Sequence, residues 1–129
     1  MIAVDSSVWI ANLHNTLSEP VRLLRSLFRH RILLVGDIVM LEVLQGARDE
    51  AHAARLARDL NAFEVVPMLD ERIAVQAAAN FRQLRGRGVT IRKTIDLIIG
   101  TYCIEHGHTL LHDDRDFEPM RAHLGLKVL

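Results

Sequence analysis

The stretch TLLHDDRDF, residues 109–117, joins a short apolar run to three aspartates within four positions. Leu110 and Leu111 read as a β-strand, and Asp113, Asp114 and Asp116 then crowd its end, with Arg115 alone to dilute them. Like charges at this spacing repel, and the repulsion grows where a strand end holds them beside a low-dielectric interior. Such a segment needs either full exposure to water or a cation.

Comparable apolar runs recur along the chain: IAV at 2–4, ILLV at 32–35, EVV at 64–66, and a weak KVL at the end. Helical patterns separate them. SSVWIANL is followed by PVRLLRSLFRH, with Val21, Leu24, Leu27 and Phe28 at helical spacing; Leu23, Leu24 and Leu27 would serve a core or an interface equally. Asp37 is placed to cap IVMLEVLQGA, and ARDEAHAARLARDL continues as an Ala-rich amphipathic helix. LDERIAVQAAANFRQLRGRG predicts a long helix ending in a Gly turn, Thr94 is placed to cap IDLIIGTYCIEHG with Gly107 as its stop, and FEPMRAHLG is a last short helix. Strands alternating with helices predict an α/β fold: one domain over residues 1–129, with a central parallel sheet of four to five strands and helices on both faces. Sites in such sheets gather outside the carboxyl ends of the strands. Asp5 and the aspartates after Leu111 fall there.

The chain of 129 residues is half apolar and a quarter charged, an ordinary globular composition, and its formal net charge is zero. A nucleic-acid partner would therefore have to be recognised by local clusters. Cys103, the one cysteine, lies within an apolar run and excludes an internal disulfide, so a reducing cytoplasm is expected. MIAVDSSVW lacks a basic leader and is interrupted by Asp5, unlike a signal peptide; the longest apolar runs, about ten residues, are shorter than the roughly 20 of a membrane span.

Four acidic features break segments otherwise destined for the core: Asp5 after IAV, Glu42 in IVMLEVLQGA, Asp96 in IDLIIGTYCI, and the DDRD cluster. A desolvated carboxylate without a partner costs several kcal/mol. Each acid alone has an ordinary explanation. Asp5 suits an N-cap, Glu42 a solvated edge shared with Gln45 and Asp49, Asp96 the first turn of a helix, and DDRD a solvated turn. Together, at one end of one sheet, they point to a bound cation.

Carboxylates without Cys or suitably spaced His select a hard ion, Mg²⁺ or Mn²⁺. His106, His108 and His112 have no zinc spacing, and an EF-hand loop begun at Asp114 would put Pro119 where its glycine belongs. Such ions, set beside phosphate oxygens, support phosphodiester hydrolysis. Neither a Walker loop nor a GxGxxG fingerprint is present. Arg82, Arg85, Arg87, Arg92 and Lys93 form an acid-free basic strip running up to Asp96, suited to backbone phosphates; its bland explanation is a solvated helix face. Arg25, Arg29, His30 and Arg31 are expected to be plain surface.

IAVDSSVWI, LEVLQGA, TIRKTIDLIIGTYCIEHG and LLHDDRDFEPM, in this order, resemble a PIN-domain ribonuclease, and more narrowly the VapC toxins of type II toxin–antitoxin pairs. The resemblance covers essentially the whole chain. It implies metal positions at Asp5, Asp96, Asp114 and Asp116, with Glu42 completing the catalytic set. Ser7 matches a polar position close to the metal, and Arg92 a basic one. It further implies one or two Mg²⁺ or Mn²⁺ ions, endonucleolytic cleavage of RNA, and a homodimer or toxin–antitoxin hetero-oligomer. A cognate antitoxin would cover the active-site groove with its C-terminal segment. The D-x-D-F register favours Asp114 and Asp116, leaving Asp113 as ligand, supporting group or spectator. Arg87, Arg92 and Lys93 are candidates for the RNA backbone. The competing expectation is a catalytically silent RNA- or protein-binding module on the same fold. A phosphatase would need DxDx[TV] where this chain has Asp5-Ser6-Ser7-Val8.

Overall fold

The computed structural model describes residues 1–129. In chain order the elements are β1 (Ile2–Val4), α1 (Ser6–Leu13), α2 (Glu19–Leu27), β2 (Leu33–Gly36), α3 (Asp37–Gln45), α4 (Glu50–Leu60), β3 (Glu64–Val66), α5 (Glu71–Gly86), α6 (Thr94–His106), β4 (Thr109–Leu111), α7 (Glu118–Leu124) and β5 (Lys127–Val128), with a 3₁₀ turn at Arg115–Phe117. The five strands pair in parallel in the order β3-β2-β1-β4-β5. The expected α/β architecture is therefore present, with five strands flanked by seven helices. No helix is long and apolar enough to cross a membrane.

The central strands β1, β2 and β4 carry Ala3, Val4, Leu33, Leu34, Val35, Leu110 and Leu111 into the interior, all 3 % exposed or less. Strands buried in this way need no polar alternation, which is why they read as plain apolar runs. One group of helices packs α1 on α2 and α3, and α3 on α4; a second packs α5 on α6 and α7. Helix α6 is buried continuously from Asp96 to Cys103, which accounts for its lack of a polar face. At Gly100 a methyl group would overlap Sδ and Cε of buried Met120, whose side chain would have to shift. On α2, Leu24 is fully buried, while Leu23 and Leu27 pack partly buried against the same core, so this face belongs to the interior. Trp9, Phe28 and Phe63 cluster with ring centroids 5.2–6.3 Å apart and line an open cavity of about 500 Å³, to which none of the expected site acids contributes.

Helix starts follow short polar caps. Asp5, Ser18, Asp49 and Asp70 each accept a hydrogen bond from a backbone N–H two or three residues on. Two expected caps differ. Strand β2 runs into α3 without a connecting residue, so Gly36 takes the cap position; Asp37 instead accepts from Ile38 N–H and Met68 N–H, at 2.8 and 3.1 Å, tying α3 to the segment after β3. At α6 the cap position belongs to Lys93 rather than Thr94, with no capping side chain, because an ammonium has no acceptor to offer a backbone N–H; it donates instead to an acid described below.

The acid segment after β4 is anchored by Phe117, fully buried, whose ring lies 4.9 Å from that of His112. Phe117→Ala is expected to cost about 3–5 kcal/mol, read as a lowered midpoint in urea unfolding.

Candidate active site

Parallel pairing sets Val4 opposite Leu111, and Asp5 N–H donates to Leu111 C=O at 2.9 Å. The ends of β1 and β4 therefore deliver Asp5 and residues 112–116 to the same edge. Ser7 joins them: its Oγ donates to Asp5 Oδ2 at 2.6 Å and accepts from Asp113 N–H at 3.1 Å. Beyond it, Asp114 N–H donates to His112 Nδ1 at 3.1 Å, and Asp114 Oδ1 accepts from Asp116 N–H at 2.9 Å. This last bond folds the acids back in a tight turn. From the neighbouring helices, α3 supplies Glu42, held by Ser6 Oγ at 2.9 Å, and the first turn of α6 supplies Asp96.

Carboxylate oxygens of Asp96, Asp114 and Asp116 lie within 4.8 Å of one another. Lys93 reaches all three: its Nζ stands 2.9 Å from Asp114, 3.6 Å from Asp116 and 3.8 Å from Asp96. Asp5 and Asp96 are 3 % and 4 % exposed, and each keeps one buried oxygen, Asp5 Oδ1 and Asp96 Oδ2, without a hydrogen-bond partner. Native proteins rarely leave buried acceptors unsatisfied, so these two oxygens are available to a ligand. An all-oxygen donor set of this kind fits Mg²⁺ or Mn²⁺ and offers zinc no nitrogen or sulfur.

Burial, reinforced by Asp5, Asp114 and Glu42 and opposed by Lys93, pushes the Asp96 carboxyl up to about 7. Burial also raises Glu42, with the Ser6 bond opposing and Asp5 adding to the shift. Asp114 behaves in the opposite way: burial works against its charge, yet the bonds from Asp116 N–H and Lys93 hold its carboxyl below the usual range. Its hydrogen bond to Asp114 raises Lys93 above the ordinary lysine value. Asp5 stands outside the triplet, but its charge acts on both Asp96 and Glu42.

Not every expected residue joins this group. Asp113 is exposed and outside the triplet, engaged through its backbone N–H rather than its carboxylate. Arg92, with Lys93 and Arg115, lines an adjoining cavity of about 440 Å³. Arg87 is exposed at the C-cap of α5 and forms no ion pair with a site acid. Sequence reasoning missed two contributions. Ser6 fixes Glu42 across 36 residues, a separation no local pattern reveals. Lys93, expected at the RNA backbone, contacts the acids as well; its place three residues before Asp96 was the available signal. His106 and His108 stack on each other and lie tilted against Tyr102 at the far end of α6, and take no part.

A parallel α/β sheet with an acid cluster at its carboxyl edge places this chain in the class of α/β folds that gather their sites at that edge. Within that class, the PIN-domain family model matches residues 2–122, and the chain belongs to that family. More narrowly, it is 34 % identical over 122 residues to a VapC ribonuclease of Mycobacterium bovis and to ribonuclease VapC11 of Mycobacterium tuberculosis, covering 92 % of this chain and 90 % of each relative. Solved structures agree in fold. VapBC2 from Rickettsia felis, bound to a promoter DNA fragment, superposes with a TM-score of 0.79 at 17 % identity, covering 100 % of this chain and 98 % of that one. FitAB bound to a DNA fragment gives 0.78 at 20 % identity, covering 100 % and 94 %.

Because the folded state raises the Asp96 carboxyl from 3.8 to about 7, the native protein holds a proton there that the unfolded chain has released. Metal-free stability should accordingly fall as pH rises from about 4 to 7, the Asp96 penalty being complete above 7. Asp96→Asn is expected to flatten this slope and raise the metal-free Tm at pH 8, measured by thermal unfolding in EDTA.

Proposed function

We propose that the chain is a Mg²⁺- or Mn²⁺-dependent endoribonuclease, the toxin of a toxin–antitoxin pair acting in the cytoplasm. The observation that carries this is the meeting of Asp96, Asp114 and Asp116 beside the unpartnered Asp5 oxygen, in a chain whose relatives are named ribonucleases. Asp5, Asp96, Asp114 and Asp116 would hold the ion. Bound there, it would polarise the phosphoryl group and offset charge on the leaving oxygen. The chain's own residues do the rest. Ser7 keeps Asp5 turned toward the site, and the backbone turn at Asp114–Asp116 sets the spacing of two ligands. Glu42, with Oε1 fixed by Ser6, has Oε2 left to take the proton of the attacking water as the phosphodiester bond breaks. Arg92 and, once free, Lys93 grip the flanking phosphates, while Arg87 lies further along the basic strip.

A cognate antitoxin would silence the site by laying its C-terminal segment over the acid edge, with an arginine paired to the carboxylates. The solved neighbours from Rickettsia felis and Klebsiella pneumoniae are a VapBC complex and a toxin–antitoxin complex, which supports such a partner and assembly as a homodimer or hetero-oligomer.

Purified protein should cleave RNA with Mg²⁺ or Mn²⁺ and stop on addition of EDTA. Losing a ligand removes several kcal/mol of charge stabilisation, so Asp96→Ala or Asp5→Ala should lower the cleavage rate at least about a hundredfold. Undiminished cleavage by Asp96→Ala would dismiss the site; RNA binding without cleavage in any metal would turn the protein into a silent binding module. Adding the cognate antitoxin should abolish cleavage, measured on the same RNA.

A further inference from the structure

Lys93 stands at a boundary. On one side its ammonium contacts the three carboxylates of the cluster, with the shortest separation, 2.9 Å, to Asp114. On the other side Lys93 lines the cavity of about 440 Å³ shared with Thr90, Arg92 and Arg115, to whose wall Asp116 of the cluster also contributes. Its side chain is 57 % exposed, so it can leave without disturbing the core. Arg92 and Arg115, by contrast, form no ion pair with any acid. A lysine suits the position because its charge is compact and its stem flexible, where a planar guanidinium would lock onto one carboxylate in a fork.

The ammonium fills this site incompletely. It makes a hydrogen bond only to Asp114, lies too far from Asp96 Oδ2 to satisfy it, and leaves Asp5 Oδ1 bare. A divalent ion carries twice the charge and binds carboxylate oxygens directly, so it gains where the ammonium cannot reach. On the reading of the acid cluster as a metal site, we infer that Lys93 is its built-in counter-ion: it holds the carboxylates in the metal-free protein, is displaced by the divalent cation, and then turns to the adjoining cavity to take an RNA phosphate. Metal uptake thereby releases a cation for RNA, and linkage requires RNA held by that cation to favour metal in return.

Mn²⁺ affinity of the full chain, read from free-ion electron paramagnetic resonance, tests this. Lys93→Met should bind Mn²⁺ on the order of tenfold more tightly than wild type, since the competing charge is gone. Lys93→Arg, which keeps the charge and would hold one carboxylate in a fork, should bind Mn²⁺ no more tightly than wild type. Arg92→Met removes an equal charge that touches no acid and should change affinity by less than about threefold, separating direct competition from general electrostatics. In the wild-type protein, the ¹⁵N signal of the Lys93 ammonium should move toward that of a free lysine as Mg²⁺ is added. Unchanged or weaker Mn²⁺ binding by Lys93→Met, equal tightening by Arg92→Met, or a stationary Lys93 signal beside demonstrable metal binding would overturn this inference alone. No Mn²⁺ binding by any of these proteins would overturn it together with the metal reading.

Discussion

The confinement of several carboxylates at the carboxyl edge of a parallel sheet is the constraint on which this protein turns. Asp5 and Asp96 are desolvated by the core that positions them, and the neighbouring acids add to the burden on Asp96. Asp96 carries the consequence most plainly, since its carboxyl is pushed up to about 7, so that near neutrality it is poised between its two protonation states. Such a group destabilises the fold that carries it unless a cation intervenes. Lys93 supplies part of that charge and leaves buried oxygens over. Storing strain at a functional site and recovering stability on ligand binding is a common arrangement.

The surrounding fold makes this confinement tolerable. Strands β1, β2 and β4 are buried so completely that their ends are fixed to within a hydrogen bond, and Asp5 N–H to Leu111 C=O sets the two acid-bearing ends side by side. Ser7 then acts across the junction, orienting Asp5 and holding the backbone of Asp113. Phe117 anchors the far end of the same segment in the core. Mobile surface loops would let the acids separate and relieve their repulsion; here packing prevents it.

Much of this was legible in the chain itself. The apolar runs and intervening helical patterns determined a parallel α/β sheet, because fully buried strands and crossover helices impose distinct periodicities. Charges inside apolar segments drew attention to Asp5, Glu42 and Asp96, because burying a charge is costly enough to need a reason. Helix boundaries were less legible. Asp37 was expected as a cap and proved to accept from Met68 N–H, just beyond the neighbouring strand β3. Thr94 lost the cap position to Lys93, whose side chain is drawn elsewhere.

By itself the sequence determined the element order, the identity of the acids and the edge of the sheet at which they would lie, all consequences of local periodicity and chain direction. Tertiary structure decided how the acids meet. The D-x-D-F register favoured Asp114 and Asp116, and these two join Asp96, while the N–H of Asp113 is taken by Ser7 and the N–H of Asp116 folds back onto Asp114. It also decided that Ser6 serves Glu42, and that Lys93 faces the carboxylates rather than open solvent. The Ser6–Glu42 and Ser7–Asp113 contacts span 36 and 106 positions, are set by the packing of whole elements, and no spacing along the chain encodes them.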